Sequence, residues 1–148
     1  MQLGKIAIDL PSDWDDRSLY TFVAPPQNAG PQMRARASPF RKNVVLQRRE
    51  LSAEETIDSC VDALVERTVE TFGELNIDVA AGPTTEHMQS KRVAYSIFDD
   101  VTQSAVAQVV YLCLIGHDEW QVAFSLPAVD LKAEIEGLDA MVATLRLC

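Results

Sequence analysis

Ser104-Ala-Val-Ala-Gln-Val-Val-Tyr-Leu-Cys-Leu-Ile115 carries apolar residues on both phases of a two-residue repeat. Even positions hold Val106, Gln108, Val110, Leu112 and Leu114; odd positions hold Ala107, Val109, Tyr111, Cys113 and Ile115. Successive side chains of a strand point to opposite faces, so a strand covered on one side alternates apolar with polar. This stretch instead predicts a long strand covered on both faces, or one that leaves an apolar face for a partner. Gln108 interrupts the even stripe with an amide that needs hydrogen-bond partners if it is buried.

Working outward, Gly116-His-Asp118 is short enough to close a hairpin onto a strand over Glu119 to Leu126. Upstream, Arg92 to Phe98 alternates as a strand, Asp99-Asp100 reads as its turn, and Leu75 to Ala80 is a shorter strand before the Gly82-Pro83 turn. Ser52-Ala-Glu-Glu55 has the form of a capping box. It predicts a helix to about Phe72, with Ile57, Val61, Leu64, Val65, Thr68 and Phe72 on one stripe and Gly73 as the stop.

Near the start, Ile6, Ile8 and Leu10 alternate as a first strand ended by Pro11, and Trp14 follows as an aromatic anchor. Ser18 to Ala24 reads as a second strand, Pro25 to Pro39 as a long loop, and Lys42 to Arg49 as a third strand. The chain closes on a helix over Asp130 to Leu145 with Leu131, Ile135, Leu138, Val142 and Leu145 inward. The order β-β-β-α-β-β-β-β-α, with hairpin-length connections late in the chain, predicts an α+β fold. Its core is a mostly antiparallel twisted sheet with two main helices packed on it. We take residues 1–148 as a single domain, a length that buries a proper core.

The balance of 47% hydrophobic and 24% charged residues is that of an ordinary globular chain. A formal net charge of −9 argues against nucleic-acid binding, which rests on Lys and Arg neutralising phosphates. Cys60, Cys113 and Cys148 show no metal-ligand or redox spacing and read as free thiols in a reducing compartment. The N-terminus lacks an apolar secretory core, and no run reaches the ~18 apolar residues of a spanning helix. The expectation is a cytoplasmic protein that does not insert in a membrane.

Chemistry is hard to find. His87 and His117 both fall in turns, and Asp15-Asp16 and Asp99-Asp100 read as turn carboxylates that cap backbone amides. No phosphate loop, nucleophile–base pair or metal cluster emerges, so we expect no enzyme, no cofactor and no metal. Arg34, Arg36, Arg41, Lys42, Arg48 and Arg49 form the one basic cluster. The plain reading is a solvated loop and strand edge; the sharper one is contact with an acidic partner or a second protomer. One sheet face is assigned Leu19, Thr21, Val45, Gln47, Ala94 and Ser96, and with them Gln108, Val110, Gln121, Ala123 and Ser125. It mixes small, apolar and amide side chains. Either a helix of the chain covers it, or it is open to an incoming helix, as small and polar residues admit helices in lipid.

Leu10-Pro-Ser-Asp-Trp14 followed by Asp16-Arg-Ser-Leu-Tyr-Thr-Phe22 resembles the opening of the Eag-type effector-associated chaperones of bacterial type VI secretion. These belong to the DcrB and PsbP-like fold group. The resemblance continues through Asn43-Val-Val-Leu-Gln-Arg48, Lys91-Arg-Val-Ala-Tyr95, Ala107-Gln108-Val-Val-Tyr111 and the last helix. It implies a PsbP-like fold and a cytoplasmic homodimer. Such a dimer binds the N-terminal transmembrane helices of a PAAR/Rhs-type effector and shields them until the spike is loaded. By the same resemblance Leu19, Thr21, Val45, Gln108 and Val110 would touch the client, joined by Val65 and Phe72 from the helix. A second class of role stays open: a non-catalytic DcrB or PsbP-like accessory subunit that docks on a protein complex.

Overall fold

The computed structural model describes residues 2–3, 6–12, 15–18, 21–23 and 41–147, with side chains over residues 7–12 and 41–147. The chain begins with β1 (Gln2–Leu3), β2 (Ile6–Ala7), β3 (Asp15–Ser18), β4 (Thr21–Val23) and β5 (Asn43–Glu50). Helix α1 (Ile57–Phe72) follows, then β6 (Asp78–Ala81), β7 (Gln89–Asp99), β8 (Ser104–Ile115) and β9 (Asp118–Pro127). A 3₁₀ turn (Ala128–Asp130) leads into α2 (Leu131–Ala143) and β10 (Arg146–Leu147). Seven strands form one sheet in the order β3-β4-β5-β9-β8-β7-β6, and β1, β2 and β10 form a small second sheet. Every pairing is antiparallel. The fold is α+β.

The two-sided apolar strand is β8, with the bounds its sequence marks. It joins β9 through Gly116-His117, with Ile115 opposite Asp118. Gly116 takes φ +63°, the left-handed conformation that a two-residue hairpin turn requires. At the other end Asp99 accepts the backbone N–H groups of Val101 and Thr102 at 3.2 and 3.3 Å, so this turn carboxylate does cap amides. His87 and His117 are exposed turn residues.

The odd face of β8 is buried by α2. Val109, Tyr111 and Cys113 form one core with Val122, Phe124 and Leu126 of β9, Val44 and Leu46 of β5, and Leu138 and Val142 of α2. Tyr111 and Phe124 meet edge to face, 5.9 Å between ring centres. A polar pin crosses this core. Asp139 of α2 accepts the Tyr111 hydroxyl at 2.5 Å and Arg92 Nη1 at 2.9 and 2.8 Å. Arg92 and Tyr111 are opposite one another on β7 and β8, so one carboxylate fastens the helix to two strands. Burial, and then the Asp139 hydrogen bond, hold the Tyr111 hydroxyl well above its ordinary pKa. Cys60 and Cys113 are free and buried, and desolvation pushes the Cys113 thiol up to about 12. Cys148 lies outside the described residues.

Several local expectations are corrected. The Ser52–Glu55 box does not start α1. Glu55 accepts the Ser52 N–H at 2.8 Å in a turn, and its other oxygen takes Arg49 Nη1 at 2.6 Å. A second box one turn later starts the helix: Thr56 and Ser59 exchange side-chain and backbone bonds at 2.9 and 3.2 Å. Gly73 ends it at φ +81°, as expected. The segment read as one strand over Ser18 to Ala24 divides, because Ser18 pairs with Thr21 and the chain reverses there. Asp15-Asp16 belongs to β3 and is no turn. Trp14 and the Pro25 to Pro39 loop lie outside the described residues, as do Arg34 and Arg36.

Asp139→Ala leaves a buried hydroxyl and a guanidinium without their acceptor and is expected to lower stability by about 2 kcal/mol in urea unfolding. Tyr111→Phe removes one bond only and should lose about 1 kcal/mol. An Asp139→Ala protein within roughly 0.5 kcal/mol of wild type would show that the pin contributes nothing.

Candidate functional site

The even face of β8 is organised by register into rows that cross β5, β9, β8 and β7. They read Asn43–Ser125–Gln108–Tyr95, Val45–Ala123–Val110–Val93, Gln47–Gln121–Leu112–Lys91 and Arg49–Glu119–Leu114–Gln89. Helix α1 packs on the β8 and β7 side of these rows. Cys60, Val61 and Leu64 bury Val93, Val110 and Leu112, and Phe72 meets the Tyr95 ring at 6.1 Å. On the β5 and β9 side, Val45, Ala123, Ser125 and Gln121 are half-buried and Gln47 is exposed. Among the described residues no element lies across those two strands on this face.

The result is a trough beside α1. Two strand spacings, about 10 Å, separate the uncovered pair of strands from the covered pair, which is the interaxial distance at which two helices pack. Its floor changes character along its length. At one end Ser125 Oγ donates to Gln108 Oε1 at 3.0 Å, and the Gln108 amide N–H₂ has no partner among the described residues. Next come Val45 and Ala123, whose small apolar side chains admit close approach. Then Gln47 and Gln121 lead to the Arg49–Glu119 row.

That last row holds a buried carboxylate. Glu119 is 1% exposed and receives Arg49 Nη2 at 2.5 Å, Arg49 Nε at 3.1 Å and Gln121 Nε2 at 2.7 Å. Arg49 also reaches Glu55 at 2.6 Å and Cys60 Sγ at 3.6 Å. Hydrogen bonds that it donates to Glu55 and then to Glu119 raise the Arg49 pKa further, so it stays charged. The Ser52 backbone N–H, and then Arg49, hold the Glu55 carboxyl below its usual range. Above this network lies a cavity of about 450 Å³, lined by Gln47, Arg49, Leu64, Arg67, Glu119 and Gln121 among others.

The candidate contact residues fall into distinct places. Thr21 pairs with Val45 and so borders the trough at the backbone level; its side chain and Leu19 lie outside the described residues. Val45 and Gln108 are on the trough floor. Val110 is only 5% exposed and packs with Val61 and Leu64, so α1 already occupies the surface assigned to a client. Val65 and Phe72 sit on α1, half-buried and 47% exposed respectively, with Phe72 beyond the helix on the Tyr95 side. Ala94 and Ser96 belong to the α2 face, because it is Tyr95 that stands opposite Gln108. Three members of the basic cluster form ion pairs within the chain. Lys42 pairs with Glu134, Arg48 with Asp118 at 2.9 Å, and Arg49 with Glu55 and Glu119. Strand β5, which carries Arg48 and Arg49, lies inside the sheet and is no edge. Glu119 and Arg67 are the trough residues that were not anticipated. Among the described residues no cluster of three or more metal-ligating side chains occurs, and no helix is long and apolar enough to cross a membrane.

Solved structures place this architecture. A Pseudomonas aeruginosa protein of unknown function superposes with a TM-score of 0.62 at 13% identity, covering 95% of this chain and 96% of its own. LpqN, involved in cell envelope biogenesis of Mycobacterium tuberculosis, gives 0.61 at 12% identity over 96% of this chain and 82% of its own. Cyanobacterial PsbP (CyanoP) from Synechocystis gives 0.58 at 9% identity over 97% of this chain and 87% of its own. The fold is PsbP-like. No protein-family model matches the chain, and no curated protein matches it by sequence. Identities this low carry the fold and nothing further.

The Arg49–Glu119 pair fixes the β5–β9 seam where α1 begins. Arg49→Gln strands a buried carboxylate and is expected to reduce stability by about 2–4 kcal/mol. Arg48→Gln, which breaks a more exposed pair with Asp118, should change it by less than about 1 kcal/mol. Equal effects in denaturant unfolding would contradict this division.

Proposed function

We propose that this chain is a type VI secretion effector chaperone that holds an apolar N-terminal helix of a PAAR/Rhs-type effector in the trough beside α1. The observation that carries this reading is the pair of strands next to α1 that no other described element covers on this face. It is wide enough for one helix, floored by Val45 and Ala123, and ended by the half-satisfied amide of Gln108. An apolar helix laid there removes its surface from water at roughly 25 cal/mol per Å² and asks nothing of catalysis. Gln108 bonds a polar group or carbonyl of the client, a role that a charged side chain fills poorly in an apolar setting. The net charge of −9 keeps the loaded complex in solution. A homodimer provides two such troughs for a client with more than one helix, and the loading takes place in the cytoplasm. The sequence resemblance supports the same assignment.

A second reading is an accessory subunit that docks this face on a protein complex. It is favoured by the PsbP-like fold, which the chain shares with cyanobacterial PsbP.

Co-expression with the N-terminal helical region of a PAAR/Rhs-type effector, followed by sizing with light scattering, separates the two. The chaperone reading predicts a soluble complex containing two copies of this chain. Val45→Asp should reduce recovery of soluble client at least about tenfold, since a carboxylate would be buried against apolar surface. Gln108→Ala should reduce it about two- to tenfold, the worth of one hydrogen bond. Both variants should unfold near the wild-type midpoint. A monomer that leaves the client insoluble would favour the accessory role.

A further inference from the structure

We propose that the open end of strand β7 is a strand-addition site for an extended segment of a partner protein, one with a basic residue followed by apolar residues at alternate positions. The site lies across the sheet from the trough and is independent of the chaperone reading.

Strand β7 has 11 residues and its outer neighbour β6 only four, so β6 covers Lys91 to Ala94 and ends at Asp78. The Gly82 N–H donates to the Ser90 carbonyl at 3.1 Å, which fixes the phase of this edge. In an antiparallel strand the N–H and C=O of one residue point to the same side, and the side alternates along the chain. The backbone groups of Ser90, Arg92 and Ala94 therefore face β6. Those of Ser96 and Phe98 face outward beyond its end, where no described element pairs with them. A row of unpaired strand groups is a template for another extended backbone. Edges are commonly blunted by Lys, Pro or a bulge, and Ser96-Ile97-Phe98 carries none of these.

The neighbouring side chains select what the segment carries. Ser96 and Phe98 stand exposed on the α2 face, and residues opposite them on an added strand share that face. Phe98 is 62% exposed and Val129 90%. A cavity of about 380 Å³ on the same face is lined by Asp78, Ala94, Val129, Lys132 and Ile135 among others. Apolar residues opposite Phe98 and Ser96 thus cover the Phe98 ring and meet the mouth of this cavity. At the other end Asp99 caps the amides of its own turn, and neither Asp99 nor Asp100 forms an ion pair among the described residues. On an antiparallel segment the residue two before the one opposite Phe98 falls opposite Asp100, and Lys or Arg there matches its charge. A second copy of this chain fits poorly. Paired about Ile97, its Asp100 would fall opposite Ala94, the place that β6 fills with Asp78.

The probe is a fluorescent, amidated peptide of sequence Lys-Lys-Thr-Val-Thr-Val-Thr, whose binding to the full chain is read by anisotropy. Saturable binding is expected. N-methylation of both Val residues, whose N–H groups face β7, should weaken it at least about tenfold. N-methylation of the Thr residues beside them, whose N–H groups face solvent, should change it less than about twofold. Gln in place of both Lys should weaken it about two- to fivefold at low salt. Ser96→Pro removes one outward N–H and spares the bonds to β8, so it should abolish binding with an unfolding midpoint near wild type. The two N-methylated peptides decide the matter on the wild-type chain even if Ser96→Pro does not fold. No binding, or equal loss in both N-methylated peptides, would overturn the site. A wild-type dimer that Ser96→Pro converts to monomer would give the edge to a second copy and overturn the partner segment.

Discussion

A strand that is apolar on both phases must be covered on both faces, and the rest of this molecule is arranged around that demand of β8. One face is met in full. Helix α2 and the flanking strands bury Val109, Tyr111 and Cys113 completely. The other is met in half. Helix α1 covers Val110 and Leu112, while Gln108 at the same face has Ser125 as its one side-chain partner among the described residues. The amide sits where the helix does not reach, and Leu112 where it does. The substitution of an amide for an aliphatic residue thus marks the boundary between closed core and accessible surface.

Electrostatics sets where α1 begins and so which strands it leaves bare. Arg49 joins the buried Glu119 of β9 to Glu55, which stands just before the Thr56 cap. The chain enters the helix beside this network, and Cys60 and Leu64 drop onto β8 within the next two turns. A buried ion pair is weak evidence of net stability, because desolvation offsets much of the attraction. Its better-attested use is in fixing register, and here it fixes the row on which β5, β9 and the start of α1 agree. On the opposite face Asp139 has the parallel task of holding α2 to Arg92 and Tyr111.

Much of this was legible in the sequence, and the parts that were not have physical reasons. β8 was readable to the residue because turn-formers bound an apolar run that only Gln108 interrupts. The α+β class followed from short connections. Ala94 and Ser96 were misplaced because alternation sets the phase within a strand, while the pairing register decides which phase meets Gln108. The start of α1 slipped from Ser52 to Thr56 because two capping boxes stand in tandem, and Arg49 draws the first into a turn. Glu119 shares a phase with Gln121, Ala123 and Ser125 in the sequence, yet its burial depends on Arg49, 70 positions away. Val110 was assigned to a client because nothing local shows that a helix already lies on it. Arg67 carried no signal at all: on an amphipathic helix it reads as one more solvated cation.

The central claim is that the β5–β9 half of this face is open and takes a helix. It is tested most directly by the reactivity of a cysteine placed in it. In Ser125→Cys, alkylation followed by peptide mapping should label the new thiol rapidly in the free protein. It should slow at least about tenfold when an apolar helical peptide of about 20 residues is bound. A thiol already blocked in the free protein, or one equally reactive with the peptide bound, would contradict the account.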